Sequence, residues 1–595
     1  MVQALVENIP AQALNWILAR ADGMPLYIEE MARMSPLPSA AAIPATLHDL
    51  LAARLEGTGD AKRVAQLAAT VGREFSIELL RRISPLPFEA LTTTLQELQN
   101  SRLIVSHDAN TCQFKHALIC EAAYQSQPKA QRQATHREIA RVLQTQFAEV
   151  IEARPEVVAQ HLALAGETHQ AIDYWLEAGK RAEKHAANQA AMDHFRAALQ
   201  LIQKQPVDRE RDRQEFLLQV KLGNLLHATE GYGSTDATQA FFRALALCGN
   251  LDDSPEVFQA LWGLWIGTLD HSFPAALELA NRLNGLAHAM DIDFLRIQAQ
   301  FVMGNNAFWL GDFAGSQRSL ELALALYRPE LHGPLVAQFG EDAAISSGSF
   351  LSWVLWLQGF PDQARRLSEK TLALARQLGH PHSLGLALAC AAILRRWTRE
   401  TPVVLSLAET VLAFAQQHGF ALWQATGTLV RGWGMTMQGE AEGVVYIEQS
   451  TQAMRTAMGS AAVIFLAPLA EAQMHLGQNE AALLAVNKAF HEVEKKGDRH
   501  FEAELYRLKG ECLLAATQEQ TLEAEAAFQQ ALTISRRQGA KALELRAAMS
   551  MARLRRQQGR ADEARHLLAG VYAGFTEGFD TPDLQEADDL LCCLA

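Results

Sequence analysis

The chain has 595 residues, of which 49% are hydrophobic and 20% charged, and its net charge is −14. This length exceeds what one hydrophobic core supports, so several domains or one extended array are expected. The acidic balance disfavours a broad nucleic-acid-binding surface. The seven cysteines are scattered without a C-x-x-C spacing, which fits a reducing compartment and gives no metal framework.

No apolar run reaches the roughly 18 residues that a membrane-spanning helix needs. The N-terminus lacks a basic region followed by an apolar core, so no secretory signal is predicted. Cytoplasmic residence is therefore the expectation.

The first two segments differ in their predicted secondary structure. Residues 1–34 are predicted to be helical, yet a helical piece of this size cannot bury its own apolar face, so it belongs to something larger. Residues 45–126 combine four apolar periodicities of helical spacing with a hairpin, whose strands lie near residues 103–105 and 112–114. Helices followed by a small hairpin are typical of a winged-helix domain.

The helix before this hairpin, residues 90–102, is where a winged helix often contacts DNA. It offers Glu97 and a single arginine near its end, whereas groove insertion needs cations for phosphate contacts. A docking or regulatory role for residues 45–126 is therefore favoured over transcription control, which stays an alternative.

The rest of the chain is helical and periodic. Residues 127–210 are predicted to form a helical linker and the first helix pairs, and residues 211–595 a repeat array. Helices end at Gly359 and Gly439, which are 80 residues apart, and at Gly477 and Gly559, which are 82 apart, so each spacing holds two steps of about 40. A fixed period of this size indicates a solenoid of roughly nine or ten helix pairs. The fold class is mainly α.

One repeat carries an insertion, because Gly311 and Gly359 are separated by 48 residues. The extra length falls in the connection Pro329 to Ala343. Insertions within single repeats map to loops, and such loops are frequent ligand contacts.

Six segments, residues 21–30, 45–55, 71–76, 114–126, 501–511 and 575–581, occur in the same order as similar segments of one bacterial family. The sequence therefore resembles signal-transduction ATPases related to AAA+ proteins, many of which are fused to class III adenylate or guanylate cyclases. Residues 21–30 resemble the lid helix that ends the nucleotide-binding module, the next three segments resemble the winged helix that follows, and the last two resemble the tetratricopeptide-like tail. The resemblance covers nearly the whole chain and implies a lid remnant, a winged helix and a tetratricopeptide-like superhelix.

The catalytic motifs of that family have no counterpart in this sequence. A nucleotide-binding loop needs G-x-x-x-x-G-K-[ST], and nothing in the sequence fits. H-E-x-x-H and G-x-S-x-G are missing as well, and His380-Pro381-His382 has no carboxylate at helical spacing to complete a metal site. The chain is therefore predicted to be no enzyme, without cofactor or metal.

The leading hypothesis is a regulatory module that binds a protein, peptide or small signal on the concave face of the array. The alternative is the regulatory half of a signalling ATPase or cyclase whose catalytic domains are encoded separately; neither nucleic acid nor membrane is an expected partner. The eight tryptophans of the array are interpreted either as helix packing or as a groove lining. The resemblance places first helices on the concave face, and the candidate groove residues are Asn305, Asn306, Trp309, Asp342, Arg395, Arg396, Arg431, Trp433, Glu504, Tyr506 and Arg507.

Overall fold

The computed structural model describes residues 60–185, 187–230, 234–247, 254–269, 271–458, 463–516 and 520–594. The predicted lid remnant (residues 1–34) and the first segment that resembles the winged helix (residues 45–55) lie outside these residues. The chain divides into two compact units, the first ending at Gln205 and the second beginning at Pro206. None of the helices in the described part is long and apolar enough to cross a membrane.

The described part of the first unit, from residue 60, starts with a mixed α/β segment and continues with helices. Its elements are α1 (Asp60–Val71), β1 (Glu74–Ser76), α2 (Ile77–Ile83), α3 (Phe88–Asn100), β2 (Ile104–Ser106), β3 (Thr111–Phe114), α4 (Ala117–Gln125), α5 (Lys129–Gln146), α6 (Ala148–Ala153), α7 (Pro155–Ala165), α8 (Thr168–Lys184) and α9 (Asn188–Ile202).

The predicted hairpin is present, and β1 extends it into a three-stranded antiparallel sheet of order β1-β3-β2. Helix α1 packs against α3 and α4. The apolar positions that gave the helical periodicity, among them Leu80, Leu91 and Leu98, meet Phe75 and Phe114 of the sheet in one core. The strand β1 was not predicted, because three residues carry too little alternation to detect.

A chain of polar side chains crosses the interior of the first unit. The Tyr124 hydroxyl lies 3.0 Å from Nε2 of His136, and Nδ1 of His136 lies 2.9 Å from Nδ1 of His161. Both imidazoles are almost fully buried. Burial lowers the pKa of each histidine to about 4, with nearby Arg132 adding to the effect on His136 and His136 to that on His161.

This pair makes the first unit sensitive to acid. The folded-state pKa values lie below the ordinary value of about 6.5, so stability is full above pH 6.5 and is lost as pH falls toward 4. From pH 7 to pH 5 we expect each histidine to contribute a loss of about 2 kcal/mol, so about 4 kcal/mol for the pair, measured by hydrogen exchange of peptides from α5 and α7. The double substitution His136→Gln, His161→Gln should flatten this dependence. The substitution of the exposed His169, His169→Gln, should leave it unchanged, and an equal effect of both variants would contradict the assignment.

The described residues of the second unit contain helices and no strand. Its elements are α10 (Arg209–Glu230), α11 (Thr235–Leu247), α12 (Pro255–Leu269), α13 (Phe273–Met290), α14 (Asp293–Trp309), α15 (Phe313–Leu326), α16 (Pro329–His332), a 3-10 turn (Gly333–Leu335), α17 (Val336–Phe339), α18 (Ala343–Leu357), α19 (Pro361–Leu378), α20 (Pro381–Trp397), α21 (Thr401–His418), α22 (Ala421–Met437), α23 (Gly443–Met458), α24 (Val463–His475), α25 (Asn479–Lys496), α26 (Glu502–Ala516), α27 (Thr521–Gln538), α28 (Lys541–Gln557), α29 (Ala561–Tyr572) and α30 (Pro582–Cys593).

Nine successive helix pairs can be traced through the described part of this unit, followed by α30. In the six pairs whose turn is described in full, the first helix ends and the chain reverses at a residue with positive φ. Gly359 and Gly439, which set the predicted period, have φ values of 91° and 90°. This left-handed conformation costs glycine little, which explains why glycine marks the repeats.

The helices form two layers. First helices contact the next first helix as well as their own partners, for example α18 with α20 and α20 with α22. Every residue of α18, from Ala343 to Leu357, is buried. Second helices such as α19 bury one face only. Because a helix that is apolar all round must be covered on all sides, first helices make the inner layer and second helices the outer layer.

The array returns onto itself at its C-terminal end. Helix α28 packs against α18. The backbone amide of Gln363, on α19, donates to the carboxylate of Glu577, and the side chain of Arg399 contacts Asp583 on α30. These residues are about 200 positions apart in the chain, so the last repeats close the superhelix over α18 to α20.

Candidate functional site

A cavity of about 180 Å³ lies among the inner helices of the second unit. Its walls come mainly from α12, α14, α18, α20, α22 and α24, and single residues are added by α13, α23, α25 and the connection before α18. The lining is dominated by aromatic rings. These rings belong to Trp265, Phe273, Phe301, Trp309, Phe350, Trp353, Trp423 and Phe465.

The rings support one another through edge and face contacts. Trp309 stacks on Phe273 with centroids 5.3 Å apart and an interplanar angle of 17°. Phe350 lies edge-on to Trp353 at 5.0 Å, and Trp265 edge-on to Phe301 at 5.8 Å. Such geometries stabilise aromatic clusters beyond area burial alone. The cavity wall is therefore preformed.

Hydrogen bonds fix the orientation of three of these indoles. Nε1 of Trp265 donates to Oδ1 of Asn306 at 3.2 Å, and Nε1 of Trp309 donates to Oδ1 of Asn305 at 3.1 Å. Nε1 of Trp353 donates to the carbonyl of Cys390 at 3.0 Å. Each ring thus presents its apolar surface to the cavity while its polar edge is satisfied by the protein.

Two charged residues of opposite sign, Glu341 and Lys496, also line the cavity and are almost fully buried. Both have interaction partners within the protein. The thiol of Cys390 lies in the same wall, and burial raises its pKa, so it stays protonated at neutral pH. The lining therefore offers apolar contact and hydrogen bonding rather than an activated nucleophile.

The structure places two of the predicted groove residues, Asn305 and Trp309, in the cavity wall. Asn306 is fully buried behind it, where its Nδ2 donates to the carbonyl of Phe273 at 2.9 Å and its Oδ1 accepts from Trp265. Side chains of neighbouring residues on a helix point about 100° apart, so Asn305 faces the cavity while Asn306 supports the wall from behind.

Four other predicted residues meet in a buried ionic cluster near the closure: Arg396, Trp433, Glu504 and Arg507. Arg396 contacts Glu471 at 3.3 Å, and Nε1 of Trp433 donates to the same carboxylate at 2.9 Å. Glu504 contacts Arg507 at 2.7 Å and Arg546, which was not predicted, at 3.7 Å.

The charges of this cluster depend on one another. Burial lowers the pKa of Arg396 to about 10, which leaves it protonated at neutral pH. Burial opposes ionisation of Glu504, but the adjacent guanidinium groups of Arg507, Arg546 and Arg396 outweigh it and lower its pKa. The cluster therefore holds ionised groups that stabilise one another.

The remaining predicted residues serve local structure. Asp342 caps α18 by accepting from the amides of Ala344 and Ile345, at 3.0 and 3.1 Å. Tyr506 packs edge-on against a neighbouring ring.

Two further predicted arginines are held by ion pairs. Arg395 is paired with Glu369 and Glu400, and Arg431 with Glu409. Asp342, Tyr506, Arg395 and Arg431 do not line the cavity.

Sequence reasoning missed most of the aromatic wall as a set. Trp265, Trp353 and Trp423 belong to the tryptophans that the sequence assigned either to helix packing or to a groove lining, and in the structure they line the cavity. Phe301 and Phe350 carried no signal of their own, because an apolar residue on a first helix packs in the same way whether or not it borders a cavity.

The inserted connection also reaches the site. Helix α17 ends at Phe339, whose ring packs edge-on against Trp262 at 5.4 Å, and Glu341 follows in the cavity wall. The sequence predicted only that this longer segment was a favoured place for ligand contacts.

Comparison with known proteins identifies a distant relative among curated sequences. An uncharacterized protein of Rhizobium meliloti (strain 1021) is 24% identical over 555 residues, which cover 89% of this chain and 53% of that protein. The chain thus spans about half the length of the curated relative it matches. A scan against protein-family models found no match.

Solved structures similar to this chain include tetratricopeptide-repeat proteins. A Rap protein complexed with competence and sporulation factor has a TM-score of 0.47 at 10% identity, covering 62% of this chain and 98% of that one. The APC/C hetero-tetramer Cut9-Hcn1 has a TM-score of 0.43 at 14% identity, covering 92% and 96%.

A signal transduction ATPase with numerous domains (STAND) and a tetratricopeptide repeat sensor, from Pyrococcus horikoshii, has a TM-score of 0.29 at 11% identity, covering 100% and 73%. With TM-scores below 0.5, none of the three structures indicates what this chain binds. The chain is a helical-repeat protein with tetratricopeptide-repeat structures among its neighbours.

Proposed function

We propose that the repeat array is a non-catalytic binding module whose cavity takes one compact apolar group. The observation that carries this proposal is a cavity of about 180 Å³ walled by the indoles of four tryptophans from four repeats. Ligand sites are mostly apolar and aromatic with a few placed polar groups, and this wall has that composition.

The volume of the cavity limits which group can bind in it; the bound group is called the guest below. An apolar cavity of about 150 Å³ is known to stay dry and to bind benzene. A volume of this order takes a single ring or a branched aliphatic group rather than an extended peptide. The guest is therefore a small apolar molecule or one apolar side chain of a protein partner.

A tethered ring placed in the cavity tests this proposal. Thr426 is buried and lines the cavity, whereas Thr428, on the same helix α22, is partly exposed and does not. In Thr426→Phe the new ring should compete with the guest for the same volume. We expect fluorobenzene to show saturable line broadening in ¹⁹F NMR with the native chain, with affinity at least tenfold weaker in Thr426→Phe.

The matched control is Thr428→Phe, which makes the same chemical change outside the cavity and should bind fluorobenzene like the native chain. Circular dichroism and the melting temperature check that both variants fold. Absence of saturable broadening with the native chain, or equal loss in both folded variants, would refute the proposal.

The link to a separately encoded ATPase or cyclase rests on the sequence resemblance. Under this proposal, guest binding in the array is transmitted to such a partner, and the segment of residues 60–126 serves as a winged-helix docking element. Transcription control has less support: α3, all of whose residues are described, contains no lysine or arginine and exposes Glu89 and Glu97.

A further inference from the structure

Two N–H donors in the cavity wall have no acceptor among the described residues. Asn305 is 3% exposed, and its Oδ1 accepts from Trp309, but no described residue accepts a hydrogen bond from its Nδ2. Trp423 is 6% exposed, and its Nε1 likewise donates to no described residue. Both side chains line the cavity.

Five other lining side chains with N–H or O–H donors have interaction partners within the protein. Trp265, Trp309 and Trp353 donate to Asn306, Asn305 and Cys390, respectively. The hydroxyl of Thr426 donates to the carbonyl of Leu422 at 3.0 Å, and Lys496 has a partner within the protein. Asn305 and Trp423 are therefore the donors that a guest can satisfy.

A polar donor held in an apolar wall gains free energy when an acceptor meets it, and the great majority of such groups in folded proteins are paired. These two donors are neutral and sit in a wall of aromatic rings. An ionised guest would lose its hydration in such surroundings without gaining an opposite charge, because Glu341 and Lys496 are already partnered. An uncharged acceptor meets the donors without that loss.

We infer that the guest is an aromatic ring bearing an uncharged carbonyl oxygen, which accepts from Asn305 Nδ2, Trp423 Nε1 or both. This inference rests on the proposed function of the cavity. The ring fills the apolar volume, and the carbonyl supplies the acceptor that the wall lacks. An aryl ketone or amide has this chemistry as a free molecule, and so does a phenylalanine residue with its backbone carbonyl.

The test compares two probes of similar size: acetophenone, and cumene, in which an isopropyl group takes the place of the acetyl group and no hydrogen-bond acceptor is present. Each displaces fluorobenzene in the ¹⁹F NMR assay, and the ratio of their dissociation constants isolates the contribution of the carbonyl. We expect the native chain to bind acetophenone more tightly than cumene, although acetophenone is the more water-soluble of the two.

Substitutions then assign the donors. Trp423→Phe keeps a ring but removes the N–H, and Asn305→Asp keeps an acceptor for Trp309 while removing the amide donor. At least one of them should lower the acetophenone preference about fivefold, as expected for one hydrogen bond. The matched control is Trp353→Phe, whose indole N–H is already bonded to Cys390, and it should change both affinities by the same factor.

The outcomes separate the two proposals. Failure of the native chain to bind any of the probes would refute the cavity as a binding site. Binding of both probes with a ratio that neither Trp423→Phe nor Asn305→Asp changes would overturn the carbonyl inference and leave the apolar site standing. Displacement by N-acetylphenylalanine amide at a concentration similar to acetophenone would assign the carbonyl to a peptide source, and displacement by acetophenone alone to a small molecule.

Discussion

Replacing Arg546 with methionine is expected to destabilise the repeat array by about 3–5 kcal/mol. Arg546 is buried on α28, where its Nε donates to Asp583 at 2.8 Å and its guanidinium donates to the carbonyl of Trp397 at 2.7 Å. It also faces Glu504 at 3.7 Å. Methionine matches much of its length but leaves two carboxylates and a carbonyl without this partner.

The size of this effect comes from the groups left behind. A buried ion pair contributes little net stability by itself, because desolvation offsets the Coulomb attraction. When one member of the pair is removed, the desolvation cost of the remaining buried charge is no longer offset by an opposite charge. Burial disfavours the charge of Arg546, yet Asp583 and Glu504 raise its pKa, so the guanidinium and its carboxylates are mutually dependent.

The measurement is the free energy of unfolding from urea titration, followed by tryptophan fluorescence. The matched control is Arg553→Met on the same helix. Arg553 pairs with Glu586 at 2.5 Å, but both side chains are about 40% exposed, so we expect a loss below about 1 kcal/mol. Equal losses in the two variants would show that the buried cluster contributes no more than a surface pair.

Gly432→Ala is expected to cost about 2–3 kcal/mol, because α22 and α23 approach backbone to backbone at this point. A Cβ on Gly432 would lie 2.5 Å from the carbonyl oxygen of Gly443 and 2.9 Å from Cβ of Tyr446. Neither atom sits at the end of a flexible side chain, so the helices themselves must separate. Because α22 also supplies Trp423 and Thr426 to the cavity, fluorobenzene binding should weaken in the same variant.

The control for this prediction is Gly285→Ala in the exposed middle of α13. A Cβ there meets no atom within 4 Å. Alanine should stabilise the helix by about 0.5–1 kcal/mol, since it removes backbone freedom from the unfolded chain. Urea titration of both variants gives the comparison, and a loss of stability at Gly285 or a gain at Gly432 would contradict the close approach of α22 and α23.

The repeat register could be predicted from the sequence because it has a local cause. Each turn needs one residue of positive φ, and glycine fills that position at Gly311, Gly359 and Gly439. At the turn after α20, which has no glycine, Arg399 adopts a φ of 59° instead. Arg399 lies 40 residues after Gly359, so the period indicates this turn although the residue type does not.

The cavity wall could be predicted only in part, because it depends on the curvature of the stacked helices. Asn305 and Trp309 were identified from their place on a first helix, yet Asn306 met the same criterion and turned out to be buried behind the wall. Arg546 escaped notice because its partners, Glu504 and Asp583, lie far away in the chain. Contacts between residues so far apart in the chain produce no periodic pattern in the sequence.

The return of the last repeats onto α18 to α20 has a consequence for how the array folds. A linear solenoid behaves as a string of nearest neighbours, so that terminal units can be shortened or fray singly. In this array the hydrogen bond from Arg546 to the carbonyl of Trp397 spans 149 residues. Contacts between residues so far apart in the chain make the two ends of this segment fold and unfold together. We expect folding to be slow, since a long loop must close before these contacts are gained.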